Sequence, residues 1–146
     1  MALRMKQFDR AEQIAAEVLK SSRTDRNAIL ILAHARMGQN RPDEAVVPLG
    51  KAVRRNPDPE IETMLGAALC SSRRLADGIE QLRRTAARRP PYLPAFRELA
   101  GQLAKAGQLN EAISTIENGL IISDREYYDQ LELFSQLGLY LPEPVA

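Results

Sequence analysis

Tryptophan is absent from this 146-residue chain, cysteine and histidine occur once each, and three Phe and four Tyr are its only other aromatic rings. A single thiol, Cys70, excludes an intramolecular disulfide and a cysteine metal cluster. Without Trp, the core must be filled by Leu, Ile, Val and Ala, a mixture that favours helix over sheet. No segment alternates convincingly with period two, so no sheet is expected. Apolar runs fall well short of the roughly 20 residues that span a bilayer. The opening MALRMKQFDRAEQ lacks the apolar block of a secretory signal, so the expected compartment is the cytoplasm. Charge of one sign is lacking too: 20 basic residues face 19 acidic ones, which disfavours nucleic acid and membrane surfaces as general partners. The balance is uneven along the chain, with nine Lys/Arg against five Asp/Glu in 51–90 and three against eight in 91–146.

What is present is a phrase written repeatedly. AGQLNEAISTIENGL at 106–120 echoes MGQNRPDEAVVPLGKAV at 37–53, with a rougher copy, SSRRLADGIEQLRRTA, at 71–86. Ala11, Ala45, Gly78 and Ala112 stand 34, 33 and 34 residues apart. Seven residues beyond each come Val18, Ala52, Thr85 and Gly119, and Leu32-Ala33, Leu65-Gly66 and Leu99-Ala100 precede the last three. Within each unit the apolar residues recur with helical spacing, and Gly38, Gly107, Pro57 and Pro90 mark breaks. Asp9 and Glu12 have capping-box spacing ahead of the stripe in 9–20. Two helices approach to about 8–9 Å only where contact residues are small. The recurrent Ala and Gly are therefore expected at those contacts, and Pro48 is expected to kink its helix.

On these residues the chain resembles the tetratricopeptide repeat family, a 34-residue helix–turn–helix with Leu-Gly in its first helix, Ala in its second and a closing Pro. Leu65-Gly66, Ala45, Ala112, Ala52, Pro57 and Pro90 carry the resemblance, which covers nearly the whole chain. The family's large aromatics are mostly replaced: Ile29 and Glu62 stand at its Trp position, with Phe96 the best match. The resemblance implies an all-α fold, a right-handed α–α superhelix of antiparallel helix pairs with about four repeats plus a C-terminal capping helix. The expected division of this single domain is a partial repeat at 1–25, repeats at 26–58, 59–92 and 93–124, and a capping helix and tail at 125–146. ALRMKQ is expected as the remnant of a first helix, so the first unit reads as half missing. The chain is then either a piece of a longer solenoid or one whose helix 9–20 has an apolar flank needing cover.

The resemblance further implies a concave groove lined by first helices and holding a peptide or helix of another protein. The groove positions fall on Asn27, Leu30, His34 and Met37, then Glu60, Thr63, Met64, Ala67 and Cys70, then Arg97, Glu98, Gly101 and Lys105, extended by Tyr128 and Leu131. Leu30, Met37 and Met64 have an alternative role as packing between helices. The Lys and Asn set with which some members clamp a carboxylate is replaced by Leu30, His34, Ala67 and Arg97. His34 and Cys70 suggest a nucleophile and base, but the sequence offers no orienting carboxylate, Gly-rich oxyanion loop or second His, so catalysis is not expected. No cofactor or metal is expected either, since two ligands leave a zinc site incomplete. Arg54-Arg55, Arg73-Arg74, Arg83-Arg84 and Arg88-Arg89 suit helix C-termini or, alternatively, a basic patch for an acidic partner or RNA. The expected function is thus a protein-binding scaffold, with self-association through the first unit as a further mode. The alternatives are a non-catalytic repeat segment of a larger enzyme or secretion assembly and an RNA-associated basic scaffold.

Overall fold

No glycine or proline interrupts residues 2–21, and they form one helix, α1 (Ala2–Ser21). The computed structural model describes residues 2–136, with the side chains of 3–123 and of Arg125. Six further helices follow among them: α2 (Arg26–Gly38), α3 (Pro42–Arg55), α4 (Pro59–Ser71), α5 (Leu75–Ala86), α6 (Leu93–Lys105) and α7 (Leu109–Gln136). There is no strand among the described residues. The helices stack in chain order as antiparallel pairs, about three and a half repeats in all.

Two expectations at the ends are corrected. ALRMKQ is not a separate first helix, because nothing between it and Asp9 breaks the chain; it forms the opening turns of α1. Asp9 and Glu12 consequently sit inside a helix and cap nothing. The Asp9 carboxylate instead accepts from Gln39 Nε2 at 2.7 Å, and Glu12 accepts from Arg36 Nε at 3.2 Å and Arg41 Nη1 at 3.1 Å. Both acids fasten α1 to the α2–α3 corner. At the other end α7 runs through 125 without a turn, so residues 125–136, expected as a separate cap, are its closing turns. The rest of the expected tail lies outside the described residues.

The repeat period is written into the corners as well as the helices. Arg41, Arg74 and Gln108 each donate a backbone N–H to the carbonyl five residues back, at 2.8, 3.0 and 2.9 Å. This 6→1 bond closes a helix end and requires a left-handed residue just before the donor. Asn40, Arg73 and Gly107 supply it, with φ of 60°, 65° and 82°. Asp25 caps α2 through Ala28 N–H at 2.8 Å, and Asp58 caps α4 through Glu60 and Ile61 N–H at 3.0 and 3.3 Å. Both satisfy donors that a helix start would otherwise leave unpaired.

Small residues stand where the helices meet. Ala45, Ala52 and Ala112 are buried, and so are the Leu32-Ala33, Leu65-Gly66 and Leu99-Ala100 pairs. Between α4 and α5 backbone meets backbone closely. A Cβ on Gly78 would lie 2.4 Å from Cys70 Sγ, 2.7 Å from the Gly66 carbonyl oxygen and 2.8 Å from the Cys70 backbone nitrogen. Around these contacts one apolar cluster joins α2, α3 and α4 through Ile29, Leu49, Ile61 and Leu65. Another joins α5, α6 and α7 through Leu82, Phe96, Leu103 and Ala112.

Pro48 sits inside α3, which continues through it to Arg55. A proline has no N–H to offer the carbonyl four residues back, so the Glu44 oxygen is left without its helical donor. Arg36 of α2 fills the gap, donating Nη1–H to that oxygen at 2.8 Å. The lost bond thus becomes an interhelix tie.

Candidate interaction groove

The first helices of successive pairs touch, α2 against α4 and α4 against α6, whereas the backbones of α3, α5 and α7 stay apart. A layer drawn together on one side and splayed on the other is curved, with α2, α4 and α6 on its inner face. The expected groove residues on these helices fall into three groups by burial.

Asn27, His34, Glu60, Arg97, Gly101 and Lys105 are exposed. Met37, Thr63, Met64, Ala67, Cys70 and Glu98 are half-buried, with Thr63 Oγ1 donating to the Pro59 carbonyl at 2.7 Å and Glu98 accepting from Gln102 Nε2 at 2.9 Å. Leu30 is buried in the α2–α4 core, and Met37 and Met64 pack against that core, so all three have the packing role as well. The side chains of Tyr128 and Leu131 lie outside those described.

Three of these residues meet at one place. Leu30, His34 and Met64 line a pocket of about 260 Å³, completed by Phe8, Ala11 and Ile31. The Phe8 ring meets His34 edge-on at 6.0 Å between centroids, and Ile31 is left half-exposed at the rim. Gly38 makes room for Phe8, since a Cβ there would fall within 2.6 Å of three ring atoms. Sequence reasoning missed Phe8 because residues before Asp9 were assigned to another helix. The spacing of Phe8, Glu12, Ala15 and Leu19 is the signal that one continuous stripe begins earlier.

His34 and Cys70 do not form a catalytic pair. His34 faces the Phe8 pocket, which Cys70 does not line, while the Cys70 sulfur packs against Gly78 at the α4–α5 crossing. Burial first, and the Glu98 carboxylate second, push the thiol pKa up and away from the nucleophilic thiolate. Among the described residues, no group of three or more His, Cys, Asp or Glu is placed to hold a metal.

The arginine pairs are largely engaged within the chain. Arg83 pairs with Glu111, Arg84 with Glu80 at 3.2 Å, Arg74 with Asp77 at 3.0 Å and Arg88 with Glu62 at 2.6 Å. Arg89 donates to the Arg88 and Ala86 carbonyls at 2.9 and 3.5 Å, which fits the helix-end role. At the α2–α4 edge, Arg26 binds Asp58 and Glu60 together. The Arg26 hydrogen bond is the main reason the Asp58 carboxyl is held below its ordinary pKa, against the opposing effect of burial. None of the described helices is long and apolar enough to cross a membrane.

Comparison with known proteins agrees with this geometry. Residues 2–68 match the tetratricopeptide repeat family. A solved structure described as "Crystal structure of MamA" superposes with a TM-score of 0.64 at 25% identity, covering 90% of this chain and 80% of that one. A MamA MSR-1 structure gives 0.64 at 20% identity over 82% of this chain and 70% of that one. A MamA AMB-1 structure gives 0.60 at 21% over 78% and 68%. No curated protein matches the sequence significantly. Residues 2–68 thus carry the tetratricopeptide-repeat pattern, and helix pairs at the same 34-residue spacing, with corners closed by the same bond, continue that fold into α7.

Proposed function

We propose that the chain is a non-catalytic protein-interaction scaffold that holds a peptide or helix of a partner protein along the inner face of α2, α4 and α6. Tetratricopeptide repeats in general mediate protein–protein contacts, which agrees with the match over residues 2–68. The observation that carries the reading is the Phe8–Leu30–Ile31–His34–Met64 pocket. It is an apolar socket for one side chain, on a face otherwise bearing exposed Asn27, Arg97 and Lys105. Sockets of that kind anchor a partner, while surrounding polar groups set its register. A photo-reactive residue at position 97 is expected to crosslink a partner protein in extracts, and one at position 54 on α3 to give no such product. Ile31→Glu should abolish the adduct while leaving the melting temperature within a few degrees. An undiminished adduct in that variant would place the partner elsewhere.

A second reading has its own observation. Ile14 and Val18 fall on the stripe that covers α2 through Ala15, yet they are 54% and 38% exposed, and Leu3 in the same register is 74% exposed. Flanked by Arg4, Lys6 and Arg10, this apolar strip on α1 supports self-association. Sedimentation should show a concentration-dependent shift that Ile14→Lys removes. A strictly monomeric profile at high concentration would exclude it.

A further inference from the structure

A cavity of about 480 Å³ opens where the end of α5 meets α6 and α7, and Arg97, Gly101 and Lys105 of the inner face take no part in its lining. Three guanidinium-bearing residues line it, Arg83, Arg89 and Arg125, and among the described side chains no Asp or Glu does. The floor is apolar, with Phe96 and Leu99 of α6 buried and Ile122 of α7 half-buried. Two of the arginines are already positioned. Arg89 is tethered through Nη1 to the Arg88 carbonyl at 2.9 Å, and Arg83 is braced by Glu111, which does not line the cavity.

Such a site asks for two things at once. A guanidinium presents a rigid fork of donors that matches a carboxylate, and a positioned fork loses less entropy on binding. The apolar floor stays wetted unless the ligand brings hydrophobic surface to cover it. A small hydrophilic anion answers only the first demand. Nucleic acid answers it too, but among the described side chains the one aromatic ring in the lining is that of Phe96, which is 9% exposed and offers no open platform for a base.

We infer that this cavity is a second docking site, distinct from the inner groove, for an acidic segment of a partner protein that presents an apolar side chain between carboxylates. The full chain would be titrated against short fluorescein-labelled peptides followed by anisotropy. One peptide surrounds Leu-Phe with Asp and Glu, a second replaces the acids by Lys, and a third replaces Leu-Phe by Ala-Ala. An unstructured uridine-rich RNA serves as the fourth probe. The first peptide alone should bind saturably, and more weakly as salt rises. Arg89→Ala combined with Arg125→Ala, both exposed positions, should weaken it about tenfold or more with the helical circular dichroism unchanged. Arg97→Ala with Lys105→Ala on the inner face should leave it as it was. The inference is overturned if the acidic peptide does not bind, if the Lys, Ala or RNA probes bind as well, or if affinity follows Arg97 and Lys105 instead of Arg89 and Arg125.

Discussion

Gly78→Ala is expected to lower the stability of this protein by about 2 kcal/mol, while Gly101→Ala raises it by about 0.5–1 kcal/mol. Alanine favours a helix interior over glycine by about 1 kcal/mol in either place. What differs is the space. At Gly101 no atom beyond its own stretch of helix lies within 4 Å of the new Cβ, so only the gain in propensity remains. At Gly78 the methyl meets the Gly66 carbonyl and the Cys70 nitrogen below 3 Å, and backbone cannot swing aside as a side-chain tip can. The α4–α5 pair must separate, and overpacking of that kind costs about 1–3 kcal/mol or more. Gly66 is the milder case, because its nearest atoms belong to the Leu82 side chain, 2.5 Å from the would-be Cβ. Urea unfolding of the two alanine variants decides the matter. Equal midpoints would mean that α4 and α5 are not held at this distance.

The second large effect concerns Glu62, a carboxylate in a buried residue only 8% exposed. Arg88 Nη1 donates to both of its oxygens, at 2.6 and 2.7 Å. Removing the arginine strands the charge, and breaking a buried pair in this way costs about 3–5 kcal/mol. Arg88 is itself 36% exposed, so water reaches the site and the expected loss for Arg88→Ala is nearer 2–3 kcal/mol. Replacing both partners has a different outcome. Glu62→Leu with Arg88→Met fills the same volume without desolvated charge and should unfold at or above the wild-type midpoint. A double variant as unstable as the single one would show that the pair itself, and not the stranded carboxylate, carries the energy.

The architecture was legible because its cause is periodic. Ala45, Gly78 and Ala112 recur in register, and the structure puts each at a buried interhelix position. The ends were harder to read, since an alignment to a repeat supposes that each helix stops where its copies stop. Nothing in ALRMKQF breaks a helix, and nothing between Gly119 and Gln136 ends α7, so local continuity prevailed over the period. Asp9 and Glu12 show the same limit: a capping spacing is only as good as the helix start it presumes, and both acids turned out to be partners for residues about thirty positions away. Pro48 is partly legible. Its missing N–H follows from the residue type, whereas the donor that compensates, Arg36, lies on another helix and leaves no local trace. For the groove, the repeat register predicted Leu30, His34 and Met64, and the structure brought them to one pocket whose wall, Phe8, belongs to a helix drawn too short.

Glu62 stands where the resemblance to the family puts a bulky ring, and Arg88 holds it there at the expense of each needing the other.

The asymmetry between touching inner helices and parted outer ones gives the molecule a mechanical character. The backbones close up along one edge while side-chain pairs such as Arg83–Glu111 bridge the other, so each helix pair acts as a joint, and small tilts at successive joints add up to a larger change in curvature.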